Sequence, residues 1–280
     1  MGTLYLVATP IGNLEDITYR AVRTLSEVSV IAAEDTRTTR KLLTHYDIHT
    51  PLVSFHEYSD AGRIEGLIRR LRDEDVAVVS EAGMPAISDP GYNLVSAAIE
   101  RGIQVTPVPG PSALVAAVAA SGLPTDRFLF VGFLPNRASR RRKALEELRQ
   151  LPHTLVCYES PHRLLAMLGD AGDILGDRQI VVARELTKLH EEIWRGAISD
   201  AIRHFEERRP RGEFTLVIAG EQVDEEARRW SEDEVLKAVK ECRRRGLSAR
   251  EAAREVAKVA GWSRRDVYRL GLQANDQYTE

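Results

Sequence analysis

The first 115 or so positions of the chain alternate between short apolar runs and stretches in which apolar residues recur at helical spacing. Residues 4–8, 30–33, 52–55, 76–80 and 104–108 are dense in Val, Ile and Leu, too apolar to keep one face wet, and so predict buried strands. Between them, residues 19–27, 37–46, 61–72 and 91–101 carry the helical period. Such alternation predicts an open, mainly parallel sheet with helices on both faces. A helix of small residues, 113–121, follows the breaker-rich "PVPGPSA" (107–113), and "GLPTDRF" (122–128) marks a connection. Beyond it, residues 128–133, 154–158, 179–183, 192–194 and 214–219 predict strands with fewer helices between them, hence a mixed sheet running to about Gly220. From Ser231 the pattern is helical, joined to the rest by the acidic "EQVDEEA" (221–227). There Ser248 caps one helix, Gly261 breaks it and Ser263 caps another, a helix-turn-helix pattern in which Ala252, Val256, Val259, Val267 and Leu270 are expected to face inward. The expected fold class is therefore α/β, with domains at 1–121 and 122–222 and a small C-terminal helical segment at 231–280.

Composition narrows the class. Hydrophobic residues make up 43% and charged residues 29% of 280, the balance of a soluble globular protein. No apolar run is long enough to span a bilayer, and the N-terminus lacks the basic region of a signal peptide, so a cytoplasmic location without membrane contact is expected. Two distant cysteines, Cys157 and Cys242, exclude a disulfide scaffold or a four-thiolate zinc site. Net charge is −3, but residues 227–280 carry +4, so the body before them carries −7. A basic tail on an acidic body hints at an anionic partner.

Three loops could carry chemistry. "ATPIGNLED" (8–16) follows the first strand, with Pro10 and Gly12 fixing a turn that brings backbone amides forward. It lacks both the G-x-G-x-x-G of dinucleotide folds and the G-K-[ST] ending of a phosphate loop. "SEAGMPAISDPGYNL" (80–94) follows the fourth strand, and its Gly83, Met84 and Pro85, among small neighbours, would let backbone approach a ligand closely. "PVPGPSALVAA" (107–117) turns tightly into the small-residue helix, where Ser112 is either a ligand contact or, more commonly for Ser at a helix start, a cap. The carboxyl ends of strands are where doubly wound sheets place ligands.

These three loops, in this order and spacing, resemble the tetrapyrrole methylase superfamily. Its second loop usually reads G-D-P, whereas here Gly83-Met84-Pro85 stands in place of the acid, which is missing or displaced to Asp89. That departure is similar to one branch, the ribosomal RNA small-subunit methyltransferase I family, as are "LVATPIGNLEDITYRAVRTL", "AAEDTRTTRKLL", "SFHEYS", "SEAGMPAISDPG", "YESPHRLL" and "ARELTKLHEE", which are spread over residues 6–192. The resemblance implies a two-domain tetrapyrrole-methylase-like (class III) methyltransferase, usually a homodimer. It implies S-adenosyl-L-methionine as cofactor and 2′-O-methylation of a cytidine in the decoding region of 16S rRNA, on naked RNA or the small ribosomal subunit. By matching position, Pro10, Ile87, Ser88, Ser112, Ala113 and Thr215 would line the cofactor, with Gly12, Gly83 and Met84 in the same loops. A methylase of small tetrapyrroles would want the acidic loop and no basic tail. A non-catalytic RNA-binding module would leave three ligand-shaped loops unexplained.

Ribose methylation needs alignment of oxygen, methyl and sulfur, and help for the hydroxyl in shedding its proton. No H-E-x-x-H or clustered Cys/His pattern occurs, and no metal is expected. Four polar clusters follow apolar strands: Glu34-Asp35-Thr36-Arg37, His56-Glu57, Glu159 to Arg163, and Glu185-Leu186-Thr187-Lys188. Glu34, Asp35 and Glu185 are candidates for proton acceptance or for orienting cations. Arg37, Arg163 and Lys188 are candidates for phosphate contacts. A lone charge at such a place is more often a helix cap or a surface ion pair. Further candidate RNA contacts are Arg137, Arg140, Arg141 and Arg142, which crowd a helix start and so demand a compensating partner, and Arg264 and Arg265 in the tail.

Overall fold

A computed structural model of the chain describes residues 1–55, 61–89, 91–221 and 230–276. It divides into two compact units, Met1–Glu221 and Gln222–Glu280.

The first unit holds two five-stranded sheets. In the first sheet, β1 (Thr3–Val7), β2 (Val30–Ala33), β3 (Leu52–Ser54), β4 (Val76–Val79) and β5 (Gln104–Val108) lie in the order β3-β2-β4-β1-β5. Every pairing in it is parallel. Helices α1 (Tyr19–Glu27), α2 (Thr36–His45), α3 (Ala61–Arg70) and α4 (Tyr92–Glu100) supply the crossovers. Because both faces are covered, one core gathers Leu4, Val30, Val76 and Val78 with Leu94, while another gathers Val7, Ile31, Ala77 and Val79 with Leu25 and Leu43. Alternate residues of the same strands feed opposite cores, which is why these strands are continuously apolar.

Helix α5 (Ala113–Ser121) leads to the second sheet, whose order is β6-β7-β10-β8-β9. Its strands are β6 (Phe128–Phe133), β7 (Thr154–Glu159), β8 (Gln179–Arg184), β9 (Glu192–Ala197) and β10 (Phe214–Ile218). Only β6 and β7 run parallel; the last strand, β10, inserts antiparallel between β7 and β8. Helices α6 (Ala138–Leu148), α7 (Leu164–Leu175) and α8 (Ile198–Glu207) belong to this half. Phe214, Leu216 and Ile218 point into a core with Leu164, Met167 and Phe205. Val217 faces the other way, into a cluster that joins Val156, Val181 and Ala183 to Ala117 and Val118 of α5 and to Ile11. That cluster welds the two sheets. Arg195 of β9 adds a polar latch, donating to the Ser121 carbonyl at 3.2 Å and to that of Ala120 at the end of α5.

The second unit contains α9 (Glu232–Arg244), α10 (Ala249–Ala260) and α11 (Arg264–Asp276). Ser231 and Ser248 each form a complete capping box with Glu234 and Glu251, and Gly261 ends α10 in the left-handed region at φ 67°. Ala252, Val256 and Val267 are buried, with Leu270 partly so. Val259, expected inside, is 61% exposed; Ala260 takes the inward place on that turn instead. No helix among the described residues is long and apolar enough to cross a membrane.

Candidate functional site

The order β4-β1-β5 sets the carboxyl ends of three parallel strands side by side, so the loops following them must meet. Thr9 and Gly83 clip the first two together: the Thr9 N–H donates to the Gly83 carbonyl at 2.9 Å and the Gly83 N–H returns to Thr9 at 3.0 Å. Gly83 holds φ 78°, and a Cβ there would meet Ile11 at 3.6 Å and the Pro111 carbonyl at 3.8 Å. Gly110 lies closer still, its would-be Cβ 3.0 Å from that of Ala8. Pro10, Gly12, Gly83, Met84, Ser112 and Ala113 therefore belong to one cluster of loops. Ser112 caps α5, its hydroxyl accepting from the Val115 N–H at 3.5 Å.

The loop after β4 is strained as well as tight. Ala86 and Ser88 hold φ 69° and 61°, an uncommon state for residues with a side chain. Between them Ile87 is 47% exposed. Ser88 reaches the second sheet at the bulge in β6, where a Cβ on Gly132 would stand 3.0 Å from its hydroxyl. Thr215 is buried in β10 between Tyr158 and Ala183. Its separation of two from Val217 puts it on the face that meets α5.

The acidic candidates separate into groups with different chemistry. Asp35 caps α2, accepting from the Arg37 N–H at 2.8 Å. That N–H, and then the Arg37 guanidinium, hold its carboxyl below the usual range. The Arg37 side chain is 88% exposed. Glu185 sits at the end of β8 with φ 50° and takes a 2.9 Å bond from Lys188 and a 3.0 Å bond from the Glu213 N–H. Burial would push the Glu185 carboxyl up, but these donors outweigh it and hold it low. Lys188, bonded also to Glu213 at 2.9 Å, is held above its ordinary value, its two carboxylates overcoming burial. This hook abuts the first loop, for a Cβ on Gly12 would overlap Lys188 and stand 2.9 Å from the Thr187 hydroxyl.

Glu34 accepts from the Glu81 N–H at 3.4 Å across the ends of β2 and β4. Nearby stands Asp89, which the sequence marks only as a displaced acid. Burial first, then the charge of Glu34, push it up to about 6; the Ser80 hydroxyl opposes this and Glu81 adds to it. Tyr158 of β7 completes the corner. Burial raises its phenol, a bond involving the Leu114 backbone opposes that, and Asp89 adds to it. Sequence reasoning passes over Tyr158, although it precedes the polar "ESPHR" cluster that the pattern singles out. His56 and Glu57 lie outside the described residues.

The basic candidates also divide. Arg141 is not a surface cation: it is 5% exposed and donates to Asp170 of α7 at 2.7 Å. It leaves the set of candidate RNA contacts, because a buried, paired guanidinium has no access to phosphate. Arg142 is half exposed and bonds Asp170 at 2.6 Å and Asp173 at 2.8 Å, so these two acids supply the compensation the crowded helix start demanded. Arg163 is 23% exposed and occupied within the fold, pairing with buried Glu159 at 3.3 Å and donating to the Leu134 carbonyl at 2.6 Å and to Asn136. It braces the turn between β6 and α6 that ends in Arg137, which is exposed, as is Arg140 in the first turn of α6. Arg264 and Arg265, exposed at the start of α11, belong to the second unit. Among the described residues no group of His, Cys, Asp or Glu could hold a metal ion.

Residues 3–202 match the family model described as Tetrapyrrole (Corrin/Porphyrin) Methylases. A protein of Synechocystis named "Ribosomal RNA small subunit methyltransferase I" is 48% identical over 275 residues, covering 98% of each chain. A protein of the same name from Thermotoga maritima is 53% identical over 223 residues, which is 100% of that protein but 79% of this one. Among solved structures, uroporphyrin-III C-methyltransferase from Thermus thermophilus, complexed with S-adenyl homocysteine, superposes with a TM-score of 0.54 at 21% identity, covering 79% of this chain and 98% of that one.

Proposed function

Taking as premise that the chain belongs to the tetrapyrrole methylase family and, within it, to the ribosomal RNA small subunit methyltransferase I family, we propose that it transfers a methyl group from S-adenosylmethionine to the 2′-oxygen of a cytidine in the decoding region of 16S rRNA. The observation that carries the reading is the meeting of the three loops after β4, β1 and β5 with the face of the second sheet that holds Thr215 and Tyr158.

The loop cluster suits the cofactor. Gly83, left-handed at φ 78°, and Gly110, whose Cβ would press on Ala8, bring backbone forward, and the exposed Ile87 and Ser88 stand at its rim. Pro10, Gly12, Gly83, Met84, Ile87, Ser88, Ser112, Ala113 and Thr215 would hold it. When bound, S-adenosylmethionine supplies an electrophilic methyl group carried on a sulfonium.

The chain's own part is to place the ribose hydroxyl and take its proton. Asp89 suits the second of these roles, because at about 6 its carboxylate is ionised at neutral pH, yet more basic than an exposed one. Burial, and then repulsion by Glu34, make it the more basic. Lys188, held protonated by two carboxylates, serves as a fixed cation rather than a base, and Asp35 serves α2 as its cap. Arg137 and Arg140, with half-exposed Arg142, offer phosphate contacts on the first unit, and Arg264 and Arg265 on the second. A homodimer and a cytoplasmic location belong to the same reading. Exposed Phe128, Leu129 and Phe133 on the edge strand β6 supply apolar surface for a second copy.

Mass spectrometry of 16S rRNA from a strain lacking this protein tests the reading. One cytidine in the decoding region is expected to lose its ribose methyl group, and full methylation in that strain would refute it.

A further inference from the structure

The second unit carries a groove of about 410 Å³, within the range of roughly 300–1,000 Å³ typical of sites for small ligands. Its floor is apolar, from Val239 and Val267. Gly271 allows α11 to come close to α9 beside it, for a Cβ there would stand 3.2 Å from Val239. Tyr268 lines the groove from α11, and Lys240, Arg243 and Arg244 line it from α9. Positions three and four apart share one face of a helix, so the three cations form a single row.

Arg243 and Arg244 lie in the last turn of α9, where cations complement the helix dipole, and Lys240 lies a turn earlier. Among the described residues no carboxylate lines the groove, whereas a second hollow of this unit mixes Arg245 and Arg254 with Glu251 and Glu255. Arg243 donates to the Leu247 carbonyl at 3.0 Å and Arg244 to Glu241 at 3.2 Å. Each guanidinium has five N–H donors, so each retains donors for a ligand.

We propose that this groove binds one unstacked nucleotide of single-stranded RNA, its base against Tyr268 and the apolar floor and its phosphates along Lys240, Arg243 and Arg244. A row of cations opposite an aromatic ring over an apolar floor is what single strands require, since every base has a face to stack and every linkage a charge. The choice of RNA rests on the function proposed above. The groove is distinct from Arg264 and Arg265, which do not line it.

The full-length chain is titrated with a fluorescein-labelled single-stranded oligoribonucleotide and, as a second probe, with polyglutamate. Replacing Lys240, Arg243 and Arg244 together by Ala is expected to weaken oligonucleotide binding about 10-fold or more at low salt. It should also flatten the log–log salt dependence by about two, at roughly 0.7 per cation on a single strand. Tyr268→Leu, which keeps apolar volume in the helical core, should weaken binding about 5-fold or more, and Tyr268→Phe should not. Unchanged oligonucleotide affinity in a triple variant that melts like the parent overturns the proposal. So does tighter binding of polyglutamate than of the oligonucleotide by the parent, which would assign the groove to an acidic protein segment. Methyl transfer to small-subunit RNA is measured alongside. Its absence from the parent defeats the functional reading while the groove result stands, and its presence with unaltered binding by the triple variant defeats the groove alone.

Discussion

Asp89 binds its proton more tightly in the folded chain than in the unfolded one, about 6 against 3.8. Folding stability therefore falls as pH rises between those values and is level above them. Asp89→Asn is expected to stabilise the protein at pH 7.5 by about 1 kcal/mol, the full linkage being discounted for partial exposure, and to change nothing at pH 4. Urea unfolding at the two pH values checks this, and an equal effect at both would refute it. The same substitution should abolish methyl transfer without loss of cofactor binding. Asp170 makes the opposite case. Asp170→Ala leaves Arg141 buried and unpaired, an expected cost of about 3 kcal/mol or more, while Arg142→Ala, at a half-exposed pair screened by solvent, should cost far less. Comparable losses in the two variants, measured by urea unfolding, would count against the burial of that pair. At this scale the sequence shows residue types but not surroundings. Arg140, Arg141 and Arg142 are equivalent as letters, and only the turn of α6 toward Asp170, some thirty positions on, buries the middle one. Asp89 is visible as an acid, but its neighbours Glu34 and Tyr158 arrive from other strands.

Among elements, the 185–188 hook joins local strain to the site. Glu185 and Thr187 hold φ 50° and 67°, and Gly212, at φ 86°, leaves room for the Glu185 side chain. Gly212→Ala would intrude on that side chain, strain its own backbone and loosen Lys188 from Glu185. The expected result is a loss of about 1–2 kcal/mol in stability and several-fold weaker S-adenosylmethionine binding by calorimetry, because Lys188 abuts Gly12. Undiminished affinity would uncouple the hook from the loop cluster. Strand positions other than that of β9 are legible to within a residue or two because strands covered on both faces are continuously apolar. β9 runs past its apolar signal: Arg195-Gly196-Ala197 carries none, and its strand state comes from pairing with β8. Helix α7, half of whose residues are buried, gives no clean polar stripe by which the sequence could delimit it. The loops after β1, β4 and β5 are legible as ligand loops from their breakers. That they meet follows from strand order, which no local pattern records.

For the whole molecule, the Thermotoga relative leaves unmatched about as much of this chain as the second unit contains. A chain ending at Glu221 is therefore expected to unfold in one cooperative transition and to bind S-adenosylmethionine as the full chain does. Its affinity for RNA should fall, most visibly at low salt, because the basic residues of the helical unit are gone. Cofactor binding lost on truncation, measured by calorimetry, would show that the first unit is incomplete alone. The uneven charge is readable from the sequence, but the boundary of the unit that carries it is not visible in composition alone.

The insertion of β10 between β7 and β8 has a consequence for biosynthesis. Strands made far apart in time must wait for one another: until Phe214–Ile218 leaves the ribosome, β7 and β8 each present an unpaired edge. A nascent chain halted before that point holds two half-sheets with exposed templates for foreign strands, the state chaperones recognise and aggregates grow from. Premature termination anywhere in α8 should thus yield an insoluble product, whereas release a few residues past Ile218 should not.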